Sequence, residues 1–168
     1  AKKIFDLGIE KVILNSEAII NPDLISEIAS IFGSQAVIVS IDVKKTFLNN
    51  KYNVYSHSGK TKANLDLKTW AKECENLGAG EIMLNNINRD GTWSGYDVEL
   101  YRQIGEGLNI PMIGCGGAKN IDDIFELIEQ SKCSAAGVGS MVVFQKKDNG
   151  VLISFPKPKD IESKLHLK

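Results

Sequence analysis

The chain has 168 residues, 43% of them hydrophobic, which is enough for one domain with a sizeable core. Its 20 basic and 21 acidic side chains nearly balance, so no overall charge favours nucleic acid or a membrane surface as a partner. Its apolar runs are far too short to span a bilayer. Three cysteines without CxxC or zinc spacing favour a reducing cytoplasm over a disulfide framework.

Five short apolar runs recur along the chain and predict β-strands. They lack clean polar alternation, which is typical of strands that are buried on both faces of a sheet. The runs occupy residues 11–15, 36–42, 81–85, 111–114 and 135–139.

Amphipathic patterns between these runs predict four helices. The first begins at Asn21-Pro22, the second spans residues 66–77, the third begins at Asp97 and the fourth spans residues 121–128. Strands and helices therefore alternate, and this order predicts an α/β fold with a parallel sheet in a single domain over residues 1–168.

A longer segment, near residues 44–59, interrupts this alternation. Aromatic and β-branched residues flank Asn49-Asn50, and this pattern predicts a β-hairpin insertion. The hairpin would lie above the sheet, in the position of a lid or a substrate loop. A surface decoration without a role in binding stays an open alternative.

Polar and glycine residues collect at the carboxyl ends of the predicted strands. Parallel α/β sheets carry their ligand sites at that edge, whether the sheet is open or closed into a barrel. The residues at these ends are Asn15 and Ser16; Asp42; Asn85, Asn86, Asn88 and Asp90; Gly114 to Gly117; and Gly137 to Ser140.

The last two strand ends, "GCGG" and "GVGS", predict an anion-binding site. Glycines let backbone N–H groups approach a phosphate closely, and both motifs lead toward helices. Each motif alone is also typical of an ordinary tight turn, but two of them follow consecutive strands. Gly116, Gly117, Gly139 and Ser140 are the predicted phosphate ligands.

Asp42 and Asp90 are the candidates for proton transfer. Asp42 ends the most hydrophobic strand, where apolar surroundings suit a carboxylate to general acid/base work. For either aspartate the alternative role is a turn residue, and Arg89 could pair with either. The two histidines show no metal-binding pattern, and no serine has a visible His-Asp constellation, so we expect neither a metal site nor a serine hydrolase.

Five stretches resemble, in order, the fourth to eighth strand units of the cyclase subunit of imidazole glycerol phosphate synthase. The most specific is "GAGEIMLNNINRDGTWSGYD", because that family carries GAGEI followed by DRDGT-x-SGYD at its sixth strand. The related isomerase loop ends in SGPN, so Gly95-Tyr96-Asp97 favours the cyclase. The other stretches are "KVILNS", "FGSQAVIVSID", "IPMIGCGGAKN" and "AAGVGSMVVF".

The resemblance implies a (β/α)8 TIM barrel, of which these residues supply about five βα units, strands 4 to 8. It implies an ammonia-dependent lyase that forms imidazole glycerol phosphate from a ribulosyl imidazole-carboxamide nucleotide in histidine biosynthesis. A glutaminase partner would form a heterodimer with it and supply the ammonia, and no cofactor is implied. The first three strands, which carry the second catalytic aspartate, are not among these residues.

The resemblance also implies a role for each matching residue. Asp42 corresponds to the catalytic aspartate of the fifth strand, and Asp90 to a supporting aspartate of the sixth-strand loop. The substrate has two phosphates. The residues that match the substrate and phosphate sites are Asn15, Ser16, Ser58, Asn85, Gly91, Gly116, Gly117, Gly139 and Ser140.

Departures from the family pattern leave two other functions open. Cys115 stands where the family has Ser, Asn88 stands where it has Asp, and the "VLISFPKP" tail resembles a branch found with cell-surface sugar synthesis. That branch implies a synthase subunit that makes an amidino group on a sugar. The third possibility is a non-catalytic barrel fragment that retains phosphate binding and associates with itself, because five parallel strands leave two unpaired edges.

Overall fold

Strands and helices alternate along the chain in a computed structural model that describes residues 2–46, 51–144 and 150–165. The strands are β1 Val12–Leu14, β2 Val37–Lys45, β3 Tyr52–Ser56, β4 Thr61–Lys62, β5 Glu81–Asn86, β6 Met112–Cys115 and β7 Cys133–Gly137. The helices are α1 Lys2–Phe5, α2 Ser16–Ile20, α3 Asp23–Phe32, α4 Leu67–Asn76, α5 Val98–Gly105, α6 Ile121–Gln130, α7 Ser140–Val143 and α8 Pro158–Leu165.

The five predicted strands form one parallel sheet in the order β1-β2-β5-β6-β7. Each successive strand lies beside the previous one and is reached through at least one helix, as in a βα barrel. The α/β prediction with about five βα units is therefore confirmed. Among the described strands, β1 pairs only with β2 and β7 pairs only with β6, so these two are the edges of the parallel sheet.

The segment between β2 and β5 extends the carboxyl end of β2 beyond the rest of the sheet. β3 pairs antiparallel with β2, which places Tyr55 opposite Asp42, and β4 then pairs antiparallel with β3. The turn predicted at Asn49-Asn50 lies outside the described residues. The β3–β4 turn brings Ser58 back toward the end of the parallel sheet.

One face of the sheet is packed against the helices. Ile82 and Leu84 of β5 are fully buried there, with Trp70 of α4, Tyr101 of α5 and Leu127 of α6 in the same core cluster. The amphipathic stripes of these helices supply the other side of this core.

The opposite face of the sheet is only partly covered, and here the prediction of strands buried on both faces is wrong for most of them. β2 is buried on both faces over most of its length, but Ile13 of β1 is 54% exposed and Ala135 of β7 is also exposed. The described part of the chain contains no layer against this face, whereas a closed barrel fills it with side chains from the remaining strands.

The predicted helices begin close to their expected caps. Asp66 caps α4 by accepting a hydrogen bond from the Thr69 backbone N–H at 3.0 Å, and Asn120 forms a reciprocal capping box with Asp123 at α6. Asn21 does not cap α3, because Pro22 occupies the cap position without a side-chain hydrogen bond. None of the described helices has the length and apolar character needed to cross a membrane.

Candidate active site

Strand register places Asp42, one of the two predicted catalytic residues, in a row with three residues of the neighbouring strands. Asp42 pairs with Asn85, Asn85 with Cys115, and Cys115 with Gly137. The last three stand at the carboxyl ends of their strands, whereas β2 continues past Asp42 to Lys45, so the prediction that Asp42 ends its strand is wrong. The Asn85 side-chain amide donates a hydrogen bond to the Asp42 carboxylate at 3.1 Å, and Asp42 itself is only 9% exposed.

A cavity of about 270 Å³ opens beside this row, between the ends of β5, β6 and β7. Its lining also includes Ser40, Met83 and Cys115, which the sequence did not single out as binding residues. Seven of the predicted site residues line it, namely Asn85, Asp90, Gly91, Gly116, Gly117, Gly139 and Ser140. Asp90 and both glycine motifs therefore line one cavity, whereas Asp42 does not line it and is linked to it by the hydrogen bond from Asn85.

Gly116 and Gly117 are required by the close approach of two other segments. Their φ angles are +100° and +107°, in the region that favours glycine. A Cβ atom on Gly116 would lie 2.5 Å from the Asn86 carbonyl oxygen, and one on Gly117 would lie 2.1 Å from the Gly95 carbonyl oxygen. Side chains are therefore excluded at this wall of the cavity, which leaves backbone facing a ligand.

The remaining predicted residues lie around the end of β1. The Asn15 side-chain amide donates to the Ser40 carbonyl at 3.0 Å, and Ser40 lines the cavity. The Ser16 hydroxyl accepts a hydrogen bond at 2.8 Å from the backbone N–H of His57. Ser58 follows in the sequence and is exposed, so these residues form a second polar group outside the cavity.

The β3–β4 turn that carries Ser58 is held in a strained conformation. His57 and Ser58 have φ angles of +53° and +56°, which non-glycine residues rarely adopt. The Lys44 ammonium donates a hydrogen bond to the Gly59 carbonyl at 2.6 Å and lies 4.7 Å from the centre of the Tyr55 ring. Lys44 thus ties this turn to the strand that carries Asp42.

The expectation that Arg89 could pair with Asp42 or Asp90 is wrong. Its guanidinium donates from Nη1 to the carbonyls of Gly95 and Tyr96, each at 3.0 Å, and its Nε lies 3.9 Å from the Asp97 carboxylate. Arg89 therefore folds the loop onto itself rather than neutralising a catalytic carboxylate. Donors in a guanidinium fork suit this role because they can reach several carbonyls at once.

Two tyrosine hydroxyl groups bind the backbone of residues that line the cavity. Tyr96 donates to the Gly137 carbonyl at 2.9 Å, and Tyr101 donates to the Cys115 carbonyl. Burial raises the pKa of both phenols well above their usual range, so both remain donors. Burial also raises the pKa of the Cys115 thiol to about 11. Sequence reasoning did not identify Tyr101 as part of the site, because it falls on the apolar stripe of α5, where a core residue is expected.

A family model described as "Histidine biosynthesis protein" matches residues 1–148. A relative from Sulfolobus acidocaldarius, named imidazole glycerol phosphate synthase subunit HisF, is 46% identical over 137 residues, 81% of this chain and 54% of its own. The relative of that name from Lactococcus lactis subsp. lactis is 44% identical over 140 residues, 83% of this chain and 54% of its own. A relative from Leptospira borgpetersenii carries the same subunit name, marked as provisional. It is 42% identical over 163 residues, which is 97% of this chain and 64% of the relative's length.

The chain thus spans between 54% and 64% of the length of these relatives. The resemblance found in the sequence is confirmed, because one family model covers most of the chain and three relatives carry the same subunit name. The chain belongs to the histidine biosynthesis protein family.

Proposed function

We propose that this chain is the greater part of the cyclase subunit of an imidazole glycerol phosphate synthase. The reaction would use ammonia to cleave a ribulosyl imidazole-carboxamide nucleotide and close the imidazole ring of imidazole glycerol phosphate. One observation carries the proposal: Asn85, which lines a cavity whose far wall is made of two glycine motifs, donates a hydrogen bond to the nearly buried carboxylate of Asp42. The subunit names of the relatives support it.

Asp42 is the proposed proton-transfer residue. Asn85 donates to one carboxylate oxygen and thereby fixes the plane of the group, which leaves the remaining lone pairs for a substrate hydroxyl or an ammonia N–H. A fixed carboxylate at hydrogen-bond distance can accept a proton as the ring closes and return it to a leaving group. Asp90 lines the same cavity from the loop after β5 and is the proposed supporting carboxylate.

The two polar groups at the ends of the strands are the proposed phosphate sites. Gly116, Gly117, Gly139 and Ser140 offer backbone N–H groups and a hydroxyl on one side. On the other side Asn15 and Ser58 offer an amide and a hydroxyl donor, and the Ser16 hydroxyl donates to the Asn15 side-chain oxygen at 3.2 Å and helps to hold that side chain. A substrate with a phosphate at each end would then lie across the row that contains Asp42, with its reacting centre beside that carboxylate.

Ammonia would reach this site from a glutaminase subunit. The relatives are named as subunits, which supports assembly with a further chain. The partly covered face of the sheet extends from the amino ends of the parallel strands to the row that contains Asp42. Small or flexible side chains such as Ser40 and Met83 lie on this face, two residues before Asp42 and Asn85. In a closed barrel this face becomes the interior, through which a small neutral molecule could pass.

A synthase subunit that makes an amidino group on a cell-surface sugar is the second candidate. It would use the same ammonia chemistry and the same Asp42. The observation that favours it is the tail "VLISFPKP", whose residues 151–155 are exposed on the surface beside the end of α7. Cys115 in the position of the family's Ser, in the cavity wall, points in the same direction because it alters the ligand surface.

Turnover by the full-length protein tests the proposal. We expect it to consume the ribulosyl nucleotide with ammonium chloride as the nitrogen source and to form imidazole glycerol phosphate, measured by loss of nucleotide absorbance. Turnover of a nucleotide-linked acylamino sugar in place of the ribulosyl nucleotide would favour the second candidate. A protein that binds inorganic phosphate but converts neither substrate would contradict both.

A further inference from the structure

A buried polar network joins the two ends of the loop between β5 and α5, residues 87–96; these two ends, at Asn86 and Asp97, are called the neck of the loop. Asn86 ends β5, and its side-chain amide donates to the Asp97 carboxylate at 3.1 Å. The Tyr52 hydroxyl of the β2–β3 hairpin donates to the same carboxylate oxygen at 2.5 Å. Asp97 is only 9% exposed, so one carboxylate joins the start of the loop, its end and a second element.

The Asp97 side chain binds this network and does not cap helix α5. It occupies the cap position of α5, where an aspartate side chain ordinarily accepts a hydrogen bond from the helix. Its side chain makes no such bond, whereas Asp66 at the start of α4 caps its helix through Thr69. The Asp97 carboxylate is instead directed at the neck of the loop, so its placement is not explained by helix stability.

The network continues from the neck to the cavity. The Arg89 Nε lies 3.9 Å from the Asp97 carboxylate, and Arg89 Nη1 binds the carbonyl of Gly95. The Gly95 backbone N–H in turn donates to the Gly117 carbonyl at 2.8 Å, which docks the loop onto the glycine motif after β6. Asp90 lies inside this folded loop and lines the cavity.

We propose that Asp97 is a positioning residue that holds the 87–96 loop in the conformation that presents Asp90 to the cavity. The inference rests on the proposed function for its effect on turnover, but its effect on the order of the loop is independent of the substrate. Asp97 does not line the cavity that contains Asp90; it lines a separate cavity of about 430 Å³ together with Tyr52. Its effect on Asp90 therefore passes through Arg89 and Asn86.

The Tyr52 hydroxyl keeps its proton, and so remains a donor in this network, over the working pH range. Burial, followed by the hydrogen bond to the Asp97 carboxylate, raises the pKa of the Tyr52 phenol well above its usual range. Tyr52 therefore remains a donor to Asp97 at neutral and moderately alkaline pH, and the variant Tyr52→Phe removes one hydrogen bond without removing a charge.

The experiment compares two variants of the full-length protein with a matched control. Asp97→Asn removes the charge that faces Arg89, and Tyr52→Phe removes one donor. Asp66→Ala removes the cap of the neighbouring helix and should lower Tm by about 2–4 °C. Hydrogen exchange of residues 87–96 reports the order of the loop, and steady-state kinetics with ammonium report kcat and KM separately.

We expect Asp97→Asn to speed exchange in residues 87–96 about tenfold and to lower kcat by about 10- to 100-fold, because small misplacements of reacting groups cost this much. Tyr52→Phe should show smaller changes of both kinds, while Asp66→Ala should leave loop exchange and kcat unchanged. If Asp97→Asn does not fold, the same comparison is made with Tyr52→Phe.

Either effect without the other overturns the proposal. A looser loop with an unchanged kcat would show that the conformation of the loop does not matter for turnover. A lower kcat with unchanged exchange would show that Asp97 acts in another way. If the unmodified protein does not convert the nucleotide at all, the proposed function fails, and loop exchange alone decides whether Asp97 orders the loop.

Discussion

Asp42 differs from the other carboxylates of the chain in its surroundings. It lies in the most buried strand, β2, and Asn85 binds it from the adjacent strand rather than from its own. Register therefore determines the pair, since a shift of either strand by one residue would turn its side chain to the opposite face and separate it from its partner. A carboxylate held in this way has little freedom to reorient, which favours proton transfer over a purely structural role.

Asp42→Asn is expected to lower ammonia-dependent kcat of the full-length protein by about 10²–10⁴-fold, because it removes the proton acceptor while keeping the shape of the side chain. Tm should change little. Asp23→Asn removes a charge from the exposed first turn of α3 and should leave kcat unchanged. Retention of near-normal kcat in Asp42→Asn would remove this residue from the mechanism.

Gly117→Ala should destabilise the protein by about 1–3 kcal/mol, because the new Cβ would lie 2.1 Å from the Gly95 carbonyl and the φ angle is +107°. The matched control is Gly150→Ala, whose Cβ would meet no atom within 4 Å. The control should stay within about 0.5 kcal/mol of the unmodified protein. Urea denaturation measures both, and equal stabilities would contradict the close packing of the two loops.

Cys115 should react slowly with thiol reagents at neutral pH, because burial raises its pKa to about 11 and the thiolate is the reactive form. Its labelling rate should rise about tenfold per pH unit between pH 7 and pH 10, as the thiolate fraction grows. Cys74 is fully buried, and burial raises its pKa to about 12, so it should label more slowly still. Fast labelling of Cys115 at pH 7 would instead indicate an activated nucleophile.

At the scale of elements, the β2–β3–β4 segment connects the strand that carries Asp42 to the Ser58 turn. Tyr55 pairs with Asp42 in the antiparallel ladder, and Lys44 reaches back to the Gly59 carbonyl at 2.6 Å. Positive φ angles at His57 and Ser58 cost energy, so the Lys44 hydrogen bond helps to maintain a conformation that the turn would not adopt alone.

Lys44→Met should raise KM for the nucleotide several-fold with little change in kcat, because it loosens a turn that, under the proposed function, would contact the substrate before and during the reaction. Lys62→Met, on the exposed strand β4, is the matched control and should leave KM unchanged. Steady-state kinetics at saturating ammonium separates the two constants. A fall in kcat at constant KM would place Lys44 in the chemical step instead.

The sequence predicted the five parallel strands and four of the helices because each carries its own local signal. Asp66 before an apolar stripe and glycine after it mark both ends of α4. The short helices α2 and α7 carry too few residues for a periodic pattern, and tertiary contacts decide them.

Part of the site was predictable for the same reason, and part was not. The carboxyl-end rule brought Asp42, Asn85 and the glycine motifs to one edge, and alternation along β2 from Asp42 would also have indicated Ser40. The contacts of Arg89 and Asp97 could not be predicted. Those of Arg89 depend on how the loop of residues 87–96 folds back, and Asp97 binds Tyr52, which is distant in sequence.

At the scale of the whole molecule, the described sheet has two unpaired edges and one face without a covering layer. Ile13 on the edge strand β1 is 54% exposed, and Ala135 on the other edge strand is exposed as well. Each 100 Å² of apolar surface left in water forgoes about 2.5 kcal/mol, against a typical net stability of about 5–15 kcal/mol. Closing this surface would therefore stabilise the fold substantially.

A polypeptide made of these 168 residues alone should consequently associate with itself at low micromolar concentration. Unpaired parallel strands offer backbone donors and acceptors, and the exposed face offers apolar area, so edge pairing and burial act together. Sedimentation velocity at several concentrations measures the association. Ile13→Lys should weaken it, because a charge on the open face of an edge strand opposes pairing, whereas Ile31→Lys on α3, 72% exposed, should not. A cooperatively melting monomer at all concentrations would mean that the open face is stable in water without a covering layer.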